Sequence, residues 1–140
     1  MAVTRDARVR LVGVAGGALV ASSLVGGAAS VLAGENTWAD AWTAEATLAA
    51  PWPMLLLQTG ATLAAIRPQR VAAIVGSSLL GLTAAVAGIS GFYDGQLGRA
   101  DLSRVYVAAQ IGYVVVAWLA VAAAGVRLRQ LLRSRPRVSS

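Results

Sequence analysis

The 140-residue chain has no cysteine and no histidine, and all twelve of its basic residues are arginine. Without cysteine there are no disulfides, thiolate nucleophiles, iron–sulfur clusters or common structural zinc sites. Without histidine the usual proton shuttle at neutral pH is missing. Without lysine, Schiff-base chemistry and a Walker-type phosphate lysine are both excluded. Charge of either sign is scarce, at 13% of residues against about 25% in soluble domains. What is abundant is apolar: 57% of residues are hydrophobic and the mean hydropathy is +0.67. The length suits one domain, and the composition argues against a water-soluble one. Arginine without lysine, beside so much alanine and glycine, looks like the codon bias of a high-GC bacterial genome.

The charged residues leave four uncharged stretches, 11–34, 46–66, 71–93 and 105–126. Each is long enough to cross a membrane, because a helix rises about 1.5 Å per residue and the hydrocarbon core is ~30 Å thick. The expected fold is therefore all-α: an integral membrane four-helix bundle in one domain, 1–140. Its spans fall at about 11–33, 51–67, 71–93 and 104–126, followed by a basic cytoplasmic tail at 127–140.

Basic residues near span ends tend to stay on the cytoplasmic side. With both termini inside, Arg5, Arg8, Arg10, Arg67, Arg70, Arg127, Arg129, Arg133, Arg135 and Arg137 are cytoplasmic, and only Arg99 and Arg104 are outside. This predicts a multi-pass protein of the bacterial cytoplasmic membrane. A cleaved signal ending near Ala33 is the rival reading of the first span. Its apolar run exceeds the usual signal core of about 7 to 15 residues, which favours an uncleaved helix.

The second span is short. Pro51 and Pro53 are comfortable only in a first helical turn, so the helix starts near Pro51 and ends by Arg67. Bilayer thinning, or Arg67 reaching to the interface, would absorb the shortfall. Residues 36–50 have helical potential, with Trp38, Trp42 and Glu45 on one side. They predict a short extracytoplasmic interfacial helix, with Trp38, Trp42 and Trp52 anchored at the headgroups or, alternatively, forming an aromatic recognition site.

Small residues recur at four-residue spacing on span one (Gly13, Gly17; Ser22, Gly26) and span three (Ser77, Gly81, Ala85; Ala84, Gly88). Such faces let helix backbones approach closely. They predict that spans one and three pack together, or form a homodimer seam. On span four, Tyr106, Gln110 and Tyr113 make a polar stripe. Gln110 lies at a depth similar to Gln58, so the two amides are expected either to bond and fix bundle register, or to line a shallow outward-facing pocket with Thr59 and Thr62.

Sharper functions fail on missing residues. Small multidrug exporters have four spans and a similar length, but their mechanism resembles a design needing a membrane-embedded acid in the first helix, and Glu35 lies at its end. Proton relays and voltage sensors need ionisable groups at depth. A metal-dependent hydrolase needs histidines or clustered carboxylates, whereas Asp40, Glu45, Asp94 and Asp101 are scattered over two loops and match no loop-ligand pattern. No base accompanies Ser22, Ser23, Ser77 or Ser78.

The basic residues Arg127, Arg129, Arg133, Arg135 and Arg137 are expected to face anionic lipid headgroups rather than nucleic acid, since no aromatic interleaving accompanies them. The expectation is a non-enzymatic accessory or interaction subunit with no cofactor or metal, partnered by the bilayer, a second copy or another membrane protein. The alternative is a binder or carrier of a lipophilic small molecule using the pocket around Gln58 and Gln110.

Overall fold

The computed structural model describes residues 4–93 and 99–134, and among these the only regular elements are four helices: α1 (Arg5–Leu32), α2 (Trp52–Ala65), α3 (Arg70–Tyr93) and α4 (Arg104–Arg133). Two hydroxyl caps set helix starts. Thr4 accepts a hydrogen bond from the Ala7 amide, and Ser103 accepts one from the Tyr106 amide. Pro53 sits in the first turn of α2, where its missing N–H costs nothing.

The helices pack α1 on α2, α2 on α3, α3 on α4 and α4 on α1, closing a ring in which α1 and α3 barely touch across the diagonal. The expected pairing of spans one and three is thus not made. Each small face has a different partner. On α3, a β-carbon at Gly81 would lie 3.4 Å from Ala124 of α4, and one at Gly88 would lie 3.0 Å from the Trp118 indole. On α1, Gly16 lies against Thr62 of α2.

The interior is built from small residues. Ala61, Ala65, Ala84, Ala117, Ala120 and Ala124 are buried around Val12, Leu19, Leu80 and Tyr113. Most of the large apolar side chains face outward, among them Val14, Leu56, Leu82, Val105 and Leu119, each at least 60% exposed. In water this much contiguous apolar surface would drive aggregation. Against lipid, helices gain nothing by burying leucine and associate through close packing, which small residues permit.

Helices α1, α3 and α4 are long and apolar enough to cross a membrane; α2, at 14 residues, is not. The structure supplies a reason other than bilayer thinning. Residues 33–50 are not the expected short helix but a chain of turns folded back along α1. Asn36 is the staple: its amide donates to the Glu45 carbonyl at 3.2 Å and accepts from the Thr47 amide and hydroxyl. The Thr43 hydroxyl donates to the Asp40 carbonyl and so competes with helical backbone pairing, while the Thr37 hydroxyl donates to the Asp40 carboxylate.

Farther along, Trp42 packs on Gly27, the Leu48 carbonyl lies on Gly26, and the Ala50 amide donates to Ser23 Oγ at 2.7 Å. Ser23 is nine residues, or roughly 14 Å, short of the end of α1. The returning chain thus descends that far before α2 adds roughly 21 Å. Replacing Ser23 with alanine leaves the buried Ala50 N–H without its acceptor, and we expect a loss of about 1–3 kcal/mol in unfolding free energy in detergent, against no change for Ser22→Ala, whose hydroxyl bonds only within its own helix.

The basic segment also differs from expectation. Helix α4 does not stop at residue 126 but continues to Arg133, so Arg127, Arg129 and Arg133 are helical; Arg135 and Arg137 lie outside the described residues.

Candidate functional site

Four polar side chains of the expected site are buried. Gln58 and Tyr106 are fully so, Gln110 is 1% exposed and Thr62 is 9% exposed. Tyr113 joins them at 7%, whereas Thr59 faces outward. The stripe Tyr106, Gln110, Tyr113 does face the bundle interior, but the Gln58–Gln110 bond does not form. Gln110 instead donates its amide to the Gly91 carbonyl of α3 at 3.1 Å. The reason is the ring order: α4 packs mainly on α3 and α1, and meets α2, which carries Gln58, only through Arg127 at the far end.

Both polar atoms of the Gln58 amide lack a hydrogen-bond partner, as do the Ser77 hydroxyl and the Gln110 carbonyl oxygen. An unpaired buried amide costs its full desolvation, so replacing it by an apolar group of similar shape removes a penalty. Gln58→Leu is therefore expected to leave stability equal or raised; a clear loss in a chemical unfolding titration would show that the amide serves a partner.

Thr59 and Thr62 line a cavity elsewhere. It is a groove of about 500 Å³ between α1 and α2, floored by Gly13, Gly16 and Gly17 and walled by Leu24 and Leu63. A β-carbon at Gly17 would meet nothing within 4 Å. This small-residue face, singled out as a packing seam, is thus an open trough. It does not include Gln58 or Gln110.

The arginine-bearing ends of α1, of the α2–α3 link and of α4 come together at one end of the bundle. There Arg5, Arg10, Arg67 and Arg127 line a cavity of about 400 Å³ with Asp6 and Ile66. A smaller neighbouring cavity adds Arg70 and Gln130. Arg127 does not face lipid as expected. It is 1% exposed, its Nε donates to the Ala65 carbonyl at 3.4 Å and its Nη1 donates to Gln130 Oε1 at 3.1 Å. The Ala65 carbonyl belongs to the last turn of α2, where a cation is favoured by the helix dipole. The signal for this burial was in the sequence: Ala120, Ala124, Arg127 and Leu131 continue one helical face beyond the last uncharged residue.

At the opposite end Trp42 stacks between Trp38 and Trp52, with ring centroids 6.2 and 5.7 Å away. Trp38 and Trp52 are more than half exposed. Arg99 pairs with Glu35 at 3.3 Å and with Asp101, tying the second loop to the end of α1. The hydrogen bond from Arg99 holds the Asp101 carboxyl below its ordinary range. The Arg99–Asp101 pair is complete above the ordinary aspartate value and is lost as acidification protonates the Asp101 carboxylate. Asp94 lies outside the described residues, and among those described no three His, Cys, Asp or Glu side chains gather.

The fold defines a class: an all-helical protein, three of whose helices are long and apolar enough to cross a membrane. No protein-family model matches the chain, and neither does a curated protein or a solved structure.

Proposed function

We propose that this chain is a non-enzymatic integral protein of a bacterial cytoplasmic membrane, with four crossings and both termini cytoplasmic, acting as an accessory or interaction subunit. The second crossing is composite, made of the returning segment and α2. Non-helical backbone at membrane depth is tolerated when it lies against protein, and here the descending chain lies on the glycine and serine face of α1. The gathering of Arg5, Arg10, Arg67, Arg70 and Arg127 at one end supports the orientation, because arginine clusters favour the cytoplasmic side.

The observation that carries the reading is the inverted distribution of side chains. Most leucines and valines face out, while Gln58, Gln110 and a core rich in alanine face in. Such a bundle offers its surroundings surface rather than chemistry. Trp38 and Trp52, stacked with Trp42 and half exposed, are the aromatic surface suited to a partner. Photocrosslinking from position 38 in native membranes, followed by mass spectrometry, is expected to recover a discrete second membrane protein. Recovery of lipid and self alone would overturn the accessory role. The carrier reading loses support, because Gln110 is engaged by Gly91 and the groove of about 500 Å³ excludes both amides.

A further inference from the structure

We infer that the arginine cavity and the groove above it together form a binding site for one anionic phospholipid, the phosphate held among Arg5, Arg10, Arg67 and Arg127 and an acyl chain laid along α1. This inference rests on the membrane placement proposed above but not on the accessory role.

The first observation is uncompensated charge. Four arginines and one aspartate, Asp6, line the cavity of about 400 Å³. None of these arginines makes an ion pair with a carboxylate among the described residues. Arg127 is the most demanding of them. It is 99% buried, and its two hydrogen bonds use Nε and Nη1, both to neutral acceptors. Burying a guanidinium without a counter-charge is costly, and an oxyanion would offset that cost. Guanidinium groups present paired donors that match phosphate geometry. Basic pockets between membrane helices at the cytoplasmic side suit anionic headgroups for the same reason.

The second observation chooses between a lipid and a soluble phosphate compound. Ile66 lines both the arginine cavity and the apolar groove, so the two adjoin at that side chain. The groove runs from Gly13 to Leu24 along α1, roughly 16 Å at the helical rise. Gly17 leaves its floor open, and its walls are aliphatic apart from Thr59 and Thr62. A charged cavity beside an apolar trough matches a molecule with a phosphate at one end and a hydrocarbon chain at the other.

The test uses the full chain purified in mild detergent, with phosphatidylglycerol, phosphatidylcholine and glycerol phosphate as probes. Native mass spectrometry is expected to show one phosphatidylglycerol retained at least tenfold more strongly than phosphatidylcholine, and thermal stability should rise with phosphatidylglycerol but not with glycerol phosphate. Substituting Arg127 could unfold the bundle, so the decisive variant is Arg10→Gln with Arg67→Gln, both at exposed positions. It should keep its helical circular dichroism and lose retention at least tenfold. Gly17→Leu should fill the trough and weaken phosphatidylglycerol without touching any arginine. Arg129→Gln with Arg133→Gln, outside the cavity, should retain the lipid. Equal loss in that pair, or no loss in the first, would overturn the site as diffuse attraction. Stabilisation by glycerol phosphate equal to that by lipid would overturn the lipid in favour of a soluble anion. A chain that is monodisperse without detergent would instead overturn the membrane placement itself.

Discussion

Gly76→Ala is expected to lower the unfolding free energy by about 1–3 kcal/mol or more, the usual cost of forcing extra volume into a packed core. A β-carbon there would lie 2.6 Å from the Ala61 carbonyl oxygen and 2.7 Å from the Ala64 carbonyl carbon, and closer still to the Ala65 amide nitrogen. All three are backbone atoms of α2. A side chain could rotate away, but a helix backbone relieves the overlap only by moving as a whole, which separates α2 from α3. The matched controls are Gly17→Ala and Gly60→Ala, where nothing lies within 4 Å. These should be neutral or stabilise by up to ~1 kcal/mol, since alanine is the better helix former. Unfolding titrations of the three variants in one detergent give the comparison. Equal stabilities would show that α2 and α3 are not in backbone contact.

Gly26→Ala is expected to dislodge the returning segment while leaving the four helices formed. Its β-carbon would overlap the Leu48 carbonyl oxygen. Pushing that strand of chain outward also pulls the Ala50 amide from Ser23, so the overpacking cost of about 1–3 kcal/mol is joined by a buried N–H left unpaired. The chain has no native cysteine, which makes a single probe clean. Leu48 is 4% exposed, so Leu48→Cys should react slowly with a maleimide alone and at least tenfold faster when combined with Gly26→Ala. Gly27→Ala should have a smaller effect, because the Trp42 indole it meets can shift. Fast labelling in both backgrounds would mean the segment does not lie on α1.

Much of the helical layout was legible because long uncharged runs have few other uses. The stretches 11–34, 71–93 and 105–126 became α1, α3 and α4, and Pro51 and Pro53 marked the start of α2. The shortness of α2 was legible too, but its explanation was not. The hydroxyls of Thr37 and Thr43 and the Asn36 amide redirect residues 36–50 away from the helix their apolar pattern suggests, and those bonds depend on how the loop closes. Arg127 was misjudged for a different reason. Charge ends the uncharged run at residue 126, whereas the helical period carries on through it.

The glycines show the same division. Gly13 and Gly17 fit a close-packing motif as well as any pair in the chain, yet only Gly13 is closely approached, by Ile66, while Gly17 floors an open trough. Gly76 belongs to no pair singled out, and it is the point where two backbones meet. Spacing along one helix says which residues share a face, not which helix, if any, covers that face.

Sequence alone determined that this chain is helical, apolar on its outside and basic at one end, since those properties follow from composition and period and need no partner. Only the tertiary structure decided that Gln110 bonds to α3 rather than to Gln58, that Arg127 is enclosed, and that the chain after α1 turns back along it. These are choices of neighbour. They are set by which small residues let two surfaces approach, a quantity that exists only once both surfaces are in place.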